Sequence, residues 1–427
     1  MKPIDIGILG LGTVGSGTYR TLTENAEAIE RRVGAPVRVK KIAVAHPDRP
    51  RPVTLERGVL TGDPYEVIND PEISIICELI GGVQPAYTYI RQAFARGKHV
   101  VTANKELLAK HGAEVLGEAE ERGLDCLFEG AVAGGIPVIG PLRMSLTGNR
   151  IERIEGIVNG TTNYILTRMA QEHKDFAEVL ADAQRLGYAE ADPSADVDGW
   201  DAAYKMCILA SIAMGAHVDL AEVHPEGISK ITERDFEFAH ELGFTIKLLG
   251  VAKRNNGRLE VRVHPAMLPK RHPLASVDDV FNAVFVSGSS VGDVMFYGRG
   301  AGSMPTGSSV AGDVIEISRN VIAGARNCYQ KLHFDPIPIV PLADVVNRFY
   351  LRLRVSDRPK TLSSVAGAMG DHDVSIARVA QHEMADGDAE IVLITHPTPE
   401  SNIRAAIAQI EAQDADCAAL NVIRVEE

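Results

Sequence analysis

The chain has 427 residues, 45% of them apolar and 24% charged, with a formal net charge of −13. That length exceeds one ordinary core and points to two or three domains. The acid excess is the wrong sign for a phosphate backbone as main partner, and no apolar run reaches the roughly 18–20 residues that span a bilayer, so neither nucleic acid nor membrane is expected.

The opening residues "MKPIDIGILGLG" pass straight into a strand pattern without a signal-peptide layout, so a cytoplasmic protein is expected. Ile4, Ile6 and Ile8 alternate, Leu9 closes the strand, and Gly10, Gly12 and Gly15 follow at GxGxxG spacing ahead of a helical stretch. A glycine turn between a strand and a helix aims helix N-terminal amides at a dinucleotide pyrophosphate. Strand patterns recur at 37–45, 73–82 and 98–105 with helical stretches between them, which implies a parallel, doubly wound sheet over 1–135. The second strand runs into "AVAHPDRPR", with no acid to bond an adenosine ribose and with His46, Arg49 and Arg51 close by. That composition leans to NADP over NAD. "VTANK" (101–105) ends a strand at the edge where such sheets bind ligands, which makes Thr102 and Lys105 candidates.

Past residue 135 the pattern changes. A strand at 151–159 precedes three helical stretches, roughly 161–171, 175–186 and 198–214, and then two hairpins, one turning at Asn255–Asn256–Gly257. This is an α+β second domain over 136–301, with a helix at about 302–325 to follow. Residues 333–348 are proline-rich and read as a linker, and 349–427 read β-α-β-β-α-β, a ferredoxin-like unit.

Two motifs stand out chemically. "EGAVAGGIPVI" (129–139) is a glycine-rich bend, a packing turn or a set of carbonyls for a hard cation. "GYAEADPSADVDGWDAAYK" (187–205) puts Glu190, Asp192, Asp196, Asp198 and Asp201 ahead of Lys205. Asp201 and Lys205 share a helix face at i, i+4, and the apolar run "MCILASIAMGA" after Lys205 must be buried. The pair is a surface ion pair or a proton-transfer site, the flanking acids suiting an α-ammonium. Cys77, Cys126, Cys207, Cys328 and Cys417 are widely spaced without CxxC, so reduced buried thiols are expected.

"GLGTVG", "VTANK", "EGAVAGGIPVI", "VNGTTNYIL", the 187–205 stretch and "GRGAGSMPTGSSVAGD" together resemble homoserine dehydrogenase, and the last 80 or so residues resemble its ACT regulatory domain. With no aspartate-kinase-like region ahead of it, the chain resembles the monofunctional form. The resemblance implies reversible NAD(P)-dependent interconversion of L-homoserine and L-aspartate 4-semialdehyde, in threonine, methionine and isoleucine biosynthesis. It implies Lys205, Lys105 and Asp201 as catalytic groups and Glu190, Asp196, Asn159, Gly160 and Thr161 as substrate binders. Cofactor contacts are then Gly10, Gly12, Thr13, Val14, Gly15, Thr102, Lys105 and Gly302, and a sodium site falls at Glu129, Val132, Gly134 and Ile136. It also implies a homo-oligomer, dimer or tetramer, and an effector such as threonine at the ACT domain. There Lys360 in "DRPKTL" stands where effector-binding ACT domains usually have glycine. The ACT domain is expected to be removable with catalysis largely intact. Two rival readings are an aspartate-semialdehyde dehydrogenase, which needs an activated cysteine, and a non-catalytic amino-acid sensor.

Overall fold

A computed structural model describes residues 2–325, 334–384, 387–413 and 417–427; Cys328 and His333 lie outside them. The chain forms two compact units, Met1–Ile154 with Tyr204–Val223 and Phe281–Ile337, and Glu155–Ala203 with His224–Val280 and Pro338–Glu427.

The first unit is built on six parallel strands, β1 (Ile4–Leu9), β2 (Val37–Ala43), β3 (Leu60–Thr61), β4 (Ile73–Glu78), β5 (His99–Thr102) and β6 (Cys126–Leu127), in the order β3-β2-β1-β4-β5-β6. That is the order of a dinucleotide-binding sheet, with its switch point between β1 and β4. The two-residue strands β3 and β6 are too short to register as hydrophobic periods, so "VTANK" ends the fifth strand and not the fourth. Side chains alternate across the sheet. Ile6, Ile8, Ile75 and Cys77 meet Leu22, Val310, Val314 and Ile317 on one face. Ile76 and Val100 meet Phe94, Leu107 and Val115 on the other. The expected return helix is Ser303–Ala323, and it lies against helix Thr13–Glu24 so closely that a Cβ on Gly307 would sit 2.5 Å from the Thr18 nitrogen.

β7 (Ile151–Ile157) leads into the helices Gly160–Glu172, Phe176–Arg185 and Trp200–Met214 and the short strand β8 (His224–Pro225). Strands β9 (Phe244–Asn255) and β10 (Arg258–Pro269) form the expected hairpin, with positive φ at both Asn256 (49°) and Gly257 (79°), as a tight two-residue turn requires. β11 (Phe281–Gly288) and β12 (Gly292–Arg299) form the second hairpin, in the first unit.

The C-terminal β-α-β-β-α-β unit is present as β13 (Val346–Ser356), helix Thr361–Asp371, β14 (Ile376–Glu383), β15 (Asp388–Thr395), the short β16 (Thr398–Pro399), helix Glu400–Gln413 and β17 (Ala418–Val425). It is fused to the hairpin: β17 runs parallel to β10, pairing Arg424 with Ala266 and Val425 with Met267, so the order continues β9-β10-β17-β13-β15-β14. Residues ahead of β13 lie along β10 as well, through Leu259 N–H to the Pro338 carbonyl (2.9 Å) and Val340 N–H to the Leu259 carbonyl (2.7 Å).

Along β13, Phe349, Leu351, Leu353 and Val355 enter the core under the unit's own two helices. Tyr350 and Arg352 point the other way, to Asp235 of helix Glu233–Glu241. The joint there is ionic and buried. Arg352 bonds Asp235 (2.9 Å) and Glu390 (2.9 Å), and Asn421 donates to Asp235 (2.8 Å). One strand over, Arg262 bonds Glu260 (2.5 Å) and Glu426 (2.8 Å) and donates Nε–H to His264 Nε2 (3.1 Å).

Candidate active site

Strand β1 ends at Gly10, whose φ of 95° brings it so near the β4 exit that a Cβ would lie 2.6 Å from the Leu79 carbonyl. A Cβ on Gly15 would collide with the Gly10 carbonyl, while one on Gly12 would meet nothing within 4 Å. Two glycines are therefore fixed by packing, and the third faces open space where the Thr13–Glu24 helix begins. The amides of Thr13, Val14 and Gly15 are that helix's unsatisfied first-turn donors, and they fit an anion. The Gly302–Ser303 segment returns to this turn, Ser303 Oγ donating to the Thr13 carbonyl (2.7 Å). Arg51 is pinned at its rim, Nη1 to the Leu11 carbonyl (3.3 Å) and Nη2 to the His46 carbonyl (2.7 Å).

Across the switch point, buried Thr102 donates to Glu78 (2.7 Å) and accepts from Asn104 N–H (3.1 Å). Asn104 caps the helix by accepting from Leu107 N–H (3.1 Å) and donates to the Gly82 carbonyl (2.6 Å). These bonds fix the N-terminus of helix Lys105–Glu121, so half-buried Lys105 stands at its first position. Burial pushes the Glu78 carboxyl up, and its bonds from Thr102 and the Ile80 amide only temper the rise.

In the second unit Asn159 ties the acids together. Its amide nitrogen donates one hydrogen to Asp196 (2.6 Å) and the other to Asp201 (2.8 Å), while its oxygen accepts from Thr162 N–H (2.8 Å) to cap helix Gly160–Glu172. Thr161 Oγ1 donates to the Tyr188 carbonyl (2.8 Å), at the start of the exposed loop that carries Glu190. Asp201 and Lys205 are one turn apart on helix Trp200–Met214, only 5% and 8% exposed. That burial removes the solvent-facing ion-pair reading of the two residues.

The 129–136 bend is spoken for. The carboxylate of Glu129 accepts three backbone N–H groups, from Val138 (2.6 Å), Ile139 (2.8 Å) and Gly140 (2.7 Å), and so caps helix Ile139–Arg143. Gly134 has φ 53°, its carbonyl accepts from Ser309 Oγ (2.7 Å), and a Cβ there would collide with the Gly300 carbonyl. Asp313 accepts from Glu129 N–H (2.9 Å), and burial together with the Glu129 charge raises its carboxyl well above the usual range. These bonds are those of a packing turn. With the Glu129 carboxylate taken by three amides, a cation at Glu129, Val132, Gly134 and Ile136 would have backbone carbonyls as its ligands.

Matched to known families, residues 10–129 fit the NAD binding domain of homoserine dehydrogenase, 137–315 fit the homoserine dehydrogenase domain, and 349–415 fit the ACT domain. A homoserine dehydrogenase of Synechocystis sp. is 46% identical over 99% of both chains, and one of Bacillus subtilis is 44% identical over 94% of this chain and 93% of that one. A crystal structure of the Thiobacillus denitrificans homoserine dehydrogenase superposes with a TM-score of 0.94 at 45% identity, covering 100% of this chain and 99% of the other. A hyperthermophilic archaeal homoserine dehydrogenase in complex with NADPH covers 74% of this chain and 98% of its own, with a TM-score of 0.64 at 27% identity.

The chain belongs to the homoserine dehydrogenase family. As such it is an NAD(P)-dependent oxidoreductase acting on a CH–OH group. The rival with a nucleophilic cysteine finds no support: burial pushes the Cys126 and Cys207 thiols up to about 12, and that of Cys77 higher still. Sequence reasoning missed two buried acids of this homoserine dehydrogenase, Glu78 and Asp313. The available signal was a carboxylate inside an apolar run, alone in "ISIICELI" and followed by Glu316 in "SSVAGDVIEI".

Proposed function

We propose that reduction of L-aspartate 4-semialdehyde to L-homoserine is carried by Lys205 as proton donor, with Asp201 one turn earlier to orient the reacting end. Bound NADPH supplies the hydride. Lys205 Nζ hands a proton to the oxygen that gains negative charge at the aldehyde carbon, and in the reverse direction takes it from the homoserine hydroxyl. Glu190 and Asp196 hold the substrate's ammonium, and Asn159, Gly160 and Thr161 line its pocket. Lys105, at the strand end after Thr102, is the second catalytic lysine. The observation carrying this reading is the Asn159 amide shared between half-buried Asp196 and buried Asp201, with a buried lysine one helical turn after Asp201.

Gly10, Gly12, Thr13, Val14 and Gly15 frame the pyrophosphate, Gly302, Thr102 and Lys105 are further cofactor contacts, and Arg51 with His46 and Arg49 selects NADP over NAD through the extra phosphate. The ACT domain takes a regulatory amino acid such as threonine. Its Lys360 adopts φ 80°, the backbone shape of the glycine it replaces, and sets a cation at that site. The chain works in the cytoplasm as a homo-oligomer paired through strand edges. Outer strands β12, with Met295 and Tyr297 exposed, and β14, with Val379 exposed, offer such edges.

Steady-state kinetics test the lysine's role. Lys205→Ala should lower kcat by about 10²–10⁴-fold with NADPH affinity unchanged, while Glu190→Ala raises the homoserine KM. A Lys205→Ala enzyme within threefold of wild-type kcat removes this lysine from the mechanism. A tenfold kcat/KM preference for NAD over NADP overturns the Arg51 reading.

A further inference from the structure

We propose that Glu226, held by Arg424 of the ACT module, is a positioning residue for the substrate-side turn Val197–Gly199. The inference rests on the assignment of Asn159, Asp196 and Asp201 to substrate binding. Arg424 sits on β17, 3% exposed, and its guanidinium reaches two carboxylates. It forms a two-pronged pair with Glu226 (2.8 and 2.8 Å) and a second with Glu400 (2.9 and 2.8 Å). Paired forks of this kind fix orientation as well as distance. Glu226 is thereby tied through Arg424 to helix Glu400–Gln413, whose Arg404 also bonds Glu400 (2.6 Å).

The backbone of Glu226 passes that constraint on. Its N–H donates to the Val263 carbonyl (2.7 Å) on β10, and two residues later Ile228 N–H donates to the Val197 carbonyl (2.9 Å). Between them Gly227 lies so close to the turn that a Cβ would collide with the Val197 carbonyl and sit 2.7 Å from the Asp198 Cα. From the other side, a Cβ on Gly199, at φ 87°, would lie 3.2 Å from the Glu226 carbonyl. The two segments touch backbone to backbone, with no side chain to absorb a shift. One residue before the turn is Asp196 and two after it is Asp201, the two carboxylates that share the Asn159 amide. A displacement of Glu226 by a few tenths of an ångström therefore reaches the substrate carboxylates through contacts that cannot relax. This gives the ACT module a physical hold on the substrate side within a single compact unit, independent of any effector.

The competing account is that Glu226–Arg424 only fastens the ACT module, as Asp235–Arg352 does. Two variants of the full-length enzyme separate the accounts. Glu226→Gln keeps the shape and loses the charge-paired fork. It should raise the homoserine KM about tenfold, leave kcat within twofold and the NADP KM unchanged, and speed amide exchange at Val197–Gly199. Arg424→Lys, which keeps the charge without the fork, should fall between it and wild type. Asp235→Asn weakens the same module at a place that does not touch the turn, so it should lower Tm with the homoserine KM unchanged. A loss of Tm in Glu226→Gln without a change in KM overturns the inference, and so does an equal rise in KM in Asp235→Asn. If Asn159→Ala leaves the homoserine KM unchanged, the substrate-side assignment fails on its own. Exchange at Val197–Gly199 in Glu226→Gln then decides the inference: faster supports it, unchanged refutes it.

Discussion

The nucleotide-binding sheet and the joint between β10 and the ACT module both bury carboxylates, and they treat them oppositely. Around the sheet, Glu78 is bonded by Thr102 and the Ile80 amide and Asp313 by the Glu129 amide, and burial raises both carboxyls, although Asp5 on β1 is paired with Arg38 (2.7 Å). At the joint, burial would raise Glu226 and Glu426 too, but His224 and Arg424 act on one, and Arg262 and Lys253 on the other. These partners outweigh burial and hold both below the usual carboxylate range. His264 beside them is held neutral, down at about 3, by burial and the charges of Arg424 and Arg262. The sheet thus holds two acids, Glu78 and Asp313, whose carboxyls burial raises, whereas the joint is assembled from ions that must stay charged. Buried ion pairs add modest net stability but are severe to break, because the surviving partner is left charged and unpaired. The joint is therefore hard to open and hard to trim.

The largest expected effect follows from that. Deleting Phe349–Glu427 strips Asp235, Arg262 and Glu226 of buried partners at once and bares the β10 edge. β10 loses the β17 ladder and the cover over its apolar residues, and any of these charges that stays buried costs about 3–5 kcal/mol. Against a total of about 5–15 kcal/mol for a native domain, the truncated chain should not fold. This reverses the expectation from sequence that the ACT module can be removed with catalysis intact. A soluble, cooperatively unfolding, active truncation, measured by calorimetry and turnover, would break the comparison.

Next in size are the glycines of the nucleotide turn. Gly15→Ala drives a methyl into the Gly10 carbonyl and should give a misfolded nucleotide domain by circular dichroism. Gly12→Ala places its methyl in open space, so the variant should fold with wild-type Tm yet lose NADPH binding in a fluorescence titration.

pH sharpens the contrast. For Glu226 and Glu426 the folded carboxyls lie below the unfolded value of 4.5, so their stability is complete above it and lost as pH falls through the folded values. His264 adds to this, since the unfolded chain takes up its proton on the way from 6.5 down to about 3. Asp313 has the opposite sign. Its folded value is raised above 3.8, so its contribution is present below that and is lost as pH rises through the folded value. Protection from hydrogen exchange, corrected for the intrinsic pH dependence of the amides, should fall in β10 and β17 on acidification, and around Asp313 as pH rises from 3.8 through its raised value. Asp313→Asn should flatten only the latter. Exchange that rises uniformly with acid in both regions would erase the distinction.

The smallest effect is at Lys360. A non-glycine residue at φ 80° pays strain of about 1–2 kcal/mol, so Lys360→Gly should raise Tm by a few degrees. An unchanged or lower Tm would show that this lysine's contacts offset the strain.

The sequence by itself determined the parts that repeat with a period or turn on one residue's backbone freedom. Ile4, Ile6 and Ile8 announced a buried strand, Gly10, Gly12 and Gly15 a phosphate turn, and Asn256–Gly257 a hairpin. The 187–205 acids with Lys205 marked the place now read as the substrate side. Those signals are local, because alternation, turn geometry and helical spacing act over a few residues. The tertiary structure alone decided the two-residue strands β3 and β6, too short to carry a period. It also decided that Glu129 caps a helix, that Asp313 stays buried, and that the ACT strands continue the hairpin's sheet. Nothing in the sequence marks Arg262, Arg352 and Arg424 as buried, since an arginine's burial depends on carboxylates far away in the chain, such as Glu426 for Arg262 and Glu226 for Arg424. No local pattern encodes that pairing, because the desolvation that makes it matter arises only when the chain has folded around it.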